Sequence, residues 1–168
     1  MLDAFLEAWM NDVNLDWQKI VVYIIKFTMA YILTLPIALE RETSTRIMGL
    51  RTFPLVAVAS CGYVLVAIAV IGENADAQAR IIQGLMSGIG FIGGGAILKE
   101  GGSVRGTATA ASVWTTGGMG AAVAYDHYEI AIIVSIVTFL TLHLLTPVEK
   151  RIKARHTDQE PTRAAEES

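Results

Sequence analysis

Acidic and basic side chains gather at a few points of this 168-residue chain. Glu40, Arg41 and Glu42 are consecutive, with Arg51-Thr52 close behind; Asp76 and Arg80 stand four apart; Arg105 follows a run of glycines. Hydrolysis or group transfer needs a nucleophile beside a base, or a converging set of metal ligands. The interiors of the long apolar runs hold no Asp or Glu, and only Cys61 and His143 among reactive types. A lone cysteine makes neither an intrachain disulfide nor a metal cluster. The residue types therefore predict no catalytic residue and no cofactor, and leave any metal ligand unassigned. Carboxylates suit magnesium, which dehydrates reluctantly and favours oxygen ligands, so Glu40, Glu42 and Asp76 are the acids to watch.

The second chemical feature is the stretch Gly84-Leu-Met-Ser-Gly-Ile-Gly-Phe-Ile-Gly-Gly-Gly, which with Gly101-Gly102 holds more than half of the 15 glycines. Gly88-Ile89-Gly90-Phe91-Ile92-Gly93 matches a dinucleotide fingerprint only formally. That fingerprint needs a preceding strand and an acid about 20 residues on; here the run is apolar throughout and Trp114 stands near the required distance. Two readings remain. Gly84/Gly88 and Gly90/Gly94 are small-xxx-small pairs that let helix backbones approach closely in lipid. A matching surface would be Ala108, Ala111, Ser112, Thr115, Gly118 and Ala122. Alternatively Gly93, Gly94 and Gly95 break the helix, and their carbonyls line a cavity or meet an ion.

These groups must be positioned by membrane helices. The chain is 53% hydrophobic and 17% charged, against about 25% charged in a soluble domain. A crossing needs roughly 20 apolar residues, and residues 20–39, 53–72, 80–98, 107–125 and 129–147 approach or meet that. The third and fourth are rich in Gly, Ala and Thr, which predicts helices covered by their neighbours. Arg41, Arg46 and Arg51 lie between the first two runs, Lys99 and Arg105 between the third and fourth. Lys150, Arg151, Lys153, Arg155 and Arg163 follow the fifth. The other connectors carry Glu73, Asp76, Asp126 and Glu129. Bases on alternate connectors predict an all-α bundle of about five transmembrane helices, N-terminus outside and C-terminus cytoplasmic. In this topology Glu40 and Glu42 face one side and Asp76 the other, so they flank a path without sharing a site.

Residues 1–19, with Asp3, Glu7, Asp12 and Asp16 opposite Leu2, Phe5, Leu6, Trp9 and Val13, read as an amphipathic interfacial segment rather than a signal peptide. Residues 20–147 form the transmembrane domain. Residues 148–168 are polar and read as a cytoplasmic tail, largely disordered after one or two helical turns. Lys26 either snorkels to the interface or meets an internal partner such as Gln83. The 40–52 segment is either a set of membrane-edge anchors or a paired polar rim extending to Arg105. Asp76 and Arg80 form an i,i+4 pair or join a polar cluster with neighbouring helices.

Read together, Glu40-Arg41-Glu42, Gly49-Leu50-Arg51-Thr52, Asp76 with Arg80, Ser87-Gly88-Ile89-Gly90-Phe91-Ile92-Gly93, Gly101-Gly102-Ser103-Val104-Arg105-Gly106 and Ala110-Ala111 before Trp114 resemble the MgtC/SapB family of bacterial inner-membrane proteins. The likeness runs from residue 33 to about 147. Thr107-Ala108-Thr109 departs from the Leu-Thr-Thr usual in that family. The resemblance implies a multi-pass inner-membrane domain in a short form lacking the soluble C-terminal domain of longer members. It also implies an association with growth at low magnesium and, in some members, with survival in host cells.

The expectation is a non-enzymatic modulator of other membrane complexes, linked to magnesium homeostasis. The alternative is a transporter of magnesium or another cation. Glu40, Arg41, Glu42, Arg51, Thr52, Asp76, Arg80 and Arg105 are the candidate polar rim; Gly84, Gly88, Gly90, Gly93, Gly94 and Gly95 are the packing glycines. The partners expected are the lipid bilayer, another membrane protein or a second copy, and magnesium, with no nucleic acid.

Overall fold

Several helix ends follow a local signal in the sequence. The computed structural model describes residues 2, 16–44, 48–72, 74–100 and 103–166. The amphipathic segment expected over residues 1–19 lies almost wholly outside them, as does Arg46. Helix α1, Trp17–Ser44, starts where the Asp16 carboxylate accepts from the backbone N–H groups of Gln18 and Lys19 at 3.1 and 3.3 Å, satisfying donors that a helix start leaves open. Pro36 interrupts its hydrogen-bond ladder. One turn away, Ser135 donates to the Leu33 carbonyl at 2.6 Å.

Helix α2, Thr52–Ile71, follows the Gly49 carbonyl, which accepts from Thr52 and Phe53, and it stops at Gly72 with φ +64°. That left-handed stop suits a glycine. Helix α3, Ala75–Gly94, is capped by Asn74, whose side chain accepts from Ala77 N–H at 3.0 Å. Strands β1, Leu98–Glu100, and β2, Ser103–Arg105, pair antiparallel, Leu98 opposite Arg105 and Lys99 opposite Val104. This hairpin is an addition to the purely helical expectation. Gly106 closes it at φ +85°, where a Cβ would lie 1.9 Å from the Ala96 carbonyl oxygen. Only glycine fits there. Helix α4, Thr107–Ala124, and helix α5, Tyr128–Glu166, complete the chain.

Among the described residues, three helices are long and apolar enough to cross a membrane: α1, α2 and residues Tyr128–Glu149 of α5. Their outward faces are apolar, with Ile24, Leu55, Val66, Val70 and Ile133 more than half exposed, as lipid-facing surfaces are. The core sits around α4, which packs on α1, α2, α3 and α5. Its buried face comprises Thr109, Ser112, Val113, Thr116, Gly117, Met119, Gly120, Val123 and Ala124. Ser112 and Thr116 hydroxyls return to their own helix, donating to Ala108 and Ser112 carbonyls at 2.7 and 2.8 Å. Satisfied in this way, polar side chains enter a dry interior at little cost.

The coverage expected of both glycine-rich helices holds for α4 and fails for α3, where only Ile89 and Gly93 are buried. The tail also differs from expectation. Residues 150–166 continue α5 to Glu166 instead of ending after one or two turns. Lys, Arg, Glu and Ala are favourable helix formers, and they outnumber the one strong breaker of the segment, Pro161.

Candidate functional site: two charged fastenings of helix α1

The first cluster lies where α1 gives way to α2. Arg41 and Glu40 form an ion pair at 3.2 Å, with side chains only 3% and 8% exposed. Ser44 donates to the Glu40 carboxylate, 2.8 and 2.9 Å from its two oxygens. Arg41 also reaches Thr146 on α5 at 3.5 Å. Glu42 turns the other way and accepts from the Leu50 N–H at 3.1 Å, just ahead of α2. A Cβ at Gly49 would stand 2.0 Å from that carboxylate. The glycine is thus the space that Glu42 occupies, and the spacing Glu42–Gly49 is a structural fit between the two motif halves.

The second cluster was not foreseen. Lys26, on α1, is 7% exposed and donates to the Ala124 carbonyl at 2.8 Å and to Asp126 Oδ2 at 2.9 Å. The Tyr128 hydroxyl donates to the other Asp126 oxygen at 2.9 Å. Asp126 adopts φ +64°, a region uncommon for a non-glycine residue but tolerated by Asp. The Lys26 hydrogen bond above all holds the Asp126 carboxyl below the usual carboxylate range, against the opposing effect of burial and with further help from Tyr128. The partner of Lys26 is therefore the α4–α5 turn and not Gln83. A lysine inside an apolar run demands an acid or carbonyl, and Asp126 was one of the acids in the outer connectors.

The remaining rim residues stay apart. Arg51 is exposed and Thr52 half-buried at the start of α2; Arg105 is exposed at the end of β2. Neither arginine forms an ion pair among the described residues, so the pairing expected across that face is confined to residues 40–50. Asp76 and Arg80 are both exposed and make no ion pair with each other. An exposed i,i+4 pair gains only a few tenths of a kcal/mol, too little to fix two mobile side chains.

The glycines are divided. A Cβ at Gly93 would lie 3.1 Å from the Ala110 carbonyl oxygen, so this glycine does serve the α3–α4 contact. Gly84, Gly88, Gly90 and Gly94 meet nothing within 4 Å, and Gly95 meets only the Ile92 and Phe91 carbonyls of its own segment. The two small-xxx-small pairs therefore do not hold α3 to α4, which corrects that expectation. Close approach is supplied from α4 instead, where Gly117 faces Ile89 and Gly120 faces the Ala57 carbonyl. Of the α4 surface expected to pack, Ser112 is buried and Thr115 and Ala122 are half-buried, but Ala108, Ala111 and Gly118 are exposed, and neighbouring positions Thr109, Gly117 and Gly120 are buried instead. One residue is about 100° around a helix. On a helix rich in small residues all round, spacing alone does not choose the face.

Among the described residues, no group of three or more His, Cys, Asp or Glu side chains converges as a metal-ligand set. What the two clusters do is mechanical and electrostatic. They fasten α1 to the α4–α5 turn near one end and to α5 near the other.

The model of the MgtC family matches residues 27–151. Protein MgtC of Salmonella typhimurium strain LT2 is 34% identical over 130 residues, covering 77% of this chain and 55% of that protein. Protein SrpB of Synechococcus elongatus is 34% identical over 129 residues, covering 70% of this chain and 71% of that protein. Protein MgtC of Brucella abortus is 41% identical over 91 residues, 54% of this chain and 37% of that protein. The chain thus spans about half the length of the Salmonella relatives it matches. No solved structure matches it.

Proposed function

This chain belongs to the MgtC family, and from that premise we propose that it is a multi-pass protein of the bacterial inner membrane serving magnesium homeostasis by modulating other membrane complexes. It does so without catalysing a reaction or carrying the ion itself. In this reading all five helices cross the bilayer, the N-terminus lies outside and the C-terminus is cytoplasmic. Alternating basic connectors support that topology. So does the central position of α4, whose modest apolarity is offset by burial among its neighbours.

One observation carries the choice of modulator over carrier: the acids nearest the bundle are already engaged. Glu40 is held by Arg41 and Ser44, Glu42 by the Leu50 N–H, and Asp126 by Lys26 and Tyr128. A carboxylate so occupied offers little to magnesium, which wants several free oxygens in octahedral array. Among the described residues, Arg51, Asp76, Arg80 and Arg105 form no ion pair and are exposed near helix or strand ends. That is where another membrane protein would meet them.

The test is complementation of a strain lacking the gene, in low magnesium, with wild type and with Arg51→Ala, alongside in-membrane crosslinking from position 51. The reading expects normal Arg51→Ala protein level, impaired growth and a crosslink to another membrane protein that wild type also makes. Full growth with Arg51→Ala and no crosslinked partner would refute it.

A further inference from the structure

Helices α2 and α3 leave between them a groove of ≈ 660 Å³. Its walls are nearly all apolar, with Tyr63 and Val66 on the α2 side and Gly84 and Gly88 along the α3 side. Nothing within 4 Å faces either glycine, so bare helix backbone forms part of the floor. Among the described residues Arg80 supplies the only charge lining the groove, at the N-terminal end of its α3 wall. Among the described residues it has no hydrogen-bond or ion-pair partner, Asp76 included.

Dimensions narrow the occupant. The groove follows α2 from Val56 to Ile71, about 22 Å at the rise of an α-helix, which leaves a mean cross-section of roughly 30 Å². A helix about 10 Å across occupies roughly 80 Å². A single extended hydrocarbon chain lies within such a trough along its length, whereas a helix would enter it only by the side chains of one ridge. Charge narrows it further. One cation at the end of an apolar channel complements an amphiphile with one anionic head, and a guanidinium binds a phosphodiester in a planar, two-point fashion. Arg80 lies on the second turn of α3, and its long stem can carry the charge towards the headgroup level.

We propose that the α2–α3 groove is a binding site for one acyl chain of an anionic phospholipid, with its phosphate on Arg80. The lipid then completes the wall that Gly84 and Gly88 leave open. It stiffens a hairpin in which α3 buries only Ile89 and Gly93.

Delipidated full-length protein in detergent provides the test, by thermal unfolding and native mass spectrometry with phosphatidylglycerol, phosphatidylcholine and inorganic phosphate. Phosphatidylglycerol should raise the melting temperature and survive as a one-to-one adduct; phosphatidylcholine and phosphate should do neither. Arg80→Gln should lower adduct occupancy at least tenfold while melting like wild type without lipid. Gly88→Leu should block the trough and lower occupancy similarly. Equal retention of phosphatidylglycerol by Arg80→Gln, or equal stabilisation by phosphatidylcholine, overturns the site. A disulfide dimer from Gly88→Cys on a Cys61→Ala background in native membranes would place a second copy there instead, and also overturns it.

Discussion

Lys26 Nζ lies 2.9 Å from Asp126 Oδ2, tying residues 100 positions apart, yet the two ends of this bond live in different solvents. The lysine side chain is 8% exposed and the aspartate 65%. An ammonium without its acid would stay in a dry environment, whereas an aspartate without its lysine would face water. Asp126→Ala should therefore destabilise by about 1–3 kcal/mol, the cost of leaving a buried donor under-satisfied. Lys26→Met should cost clearly less, because replacing a buried charge with an apolar chain removes the desolvation burden along with the bond. The double variant should resemble Lys26→Met. Thermal unfolding in detergent measures all three, and equal losses in both single variants would contradict the asymmetry.

Acid should release the same fastening. Folding lowers the Asp126 pKa, first through the Lys26 hydrogen bond. A group lowered on folding stabilises the fold above its unfolded value and loses that contribution as pH falls through the folded value. The stability difference between wild type and Asp126→Asn should be constant from about pH 5 upward and shrink below about pH 4. A difference that widens on acidification would show the sign to be wrong.

The glycines should separate into two classes. Gly120→Ala places a Cβ 2.2 Å from the Ala57 carbonyl oxygen, and two packed backbones must part, at about 1–3 kcal/mol. Gly84→Ala and Gly90→Ala enter open space and should stay within about 0.5 kcal/mol of wild type. Folded yield and melting temperature of the three would test the division; loss of yield with Gly84→Ala alone would reverse it.

At the other fastening, Arg41→Ala leaves the Glu40 carboxylate 8% exposed without its cation. It should lower the amount of folded protein in the membrane. Gly49→Ala should act similarly by expelling Glu42 from the Leu50 N–H. Arg51→Ala should leave the protein level unchanged, since that side chain is exposed. Quantitative immunoblotting of membranes distinguishes these outcomes.

What the sequence made legible follows from which forces act locally. The apolar runs at 53–72 and 129–147 located α2 and the membrane part of α5 closely, because length and apolarity are properties of the segment itself. The third run was placed at 80–98, whereas α3 spans Ala75–Gly94. Its first turn is polar, and the Asn74 cap, which marks the start, carries no hydropathy signal. The β1–β2 hairpin went unread because three-residue strands leave too short a pattern. Glu40-Arg41-Glu42 was legible as a unit, since a charged trio beside apolar runs needs partners. That Arg41 would reach Thr146, and Lys26 reach Asp126, depends on how distant helices pack. The same dependence hid which face of α4 is buried.

The central claim is that this bundle fastens its acids internally and does not carry magnesium, and flux into liposomes tests it most directly. Purified protein would be reconstituted with a magnesium-sensitive dye inside and a magnesium gradient across the bilayer. The account predicts uptake no faster than in protein-free liposomes, with and without an imposed membrane potential. Uptake that rises with protein content and is lost in Asp76→Ala would contradict it and make the chain a carrier.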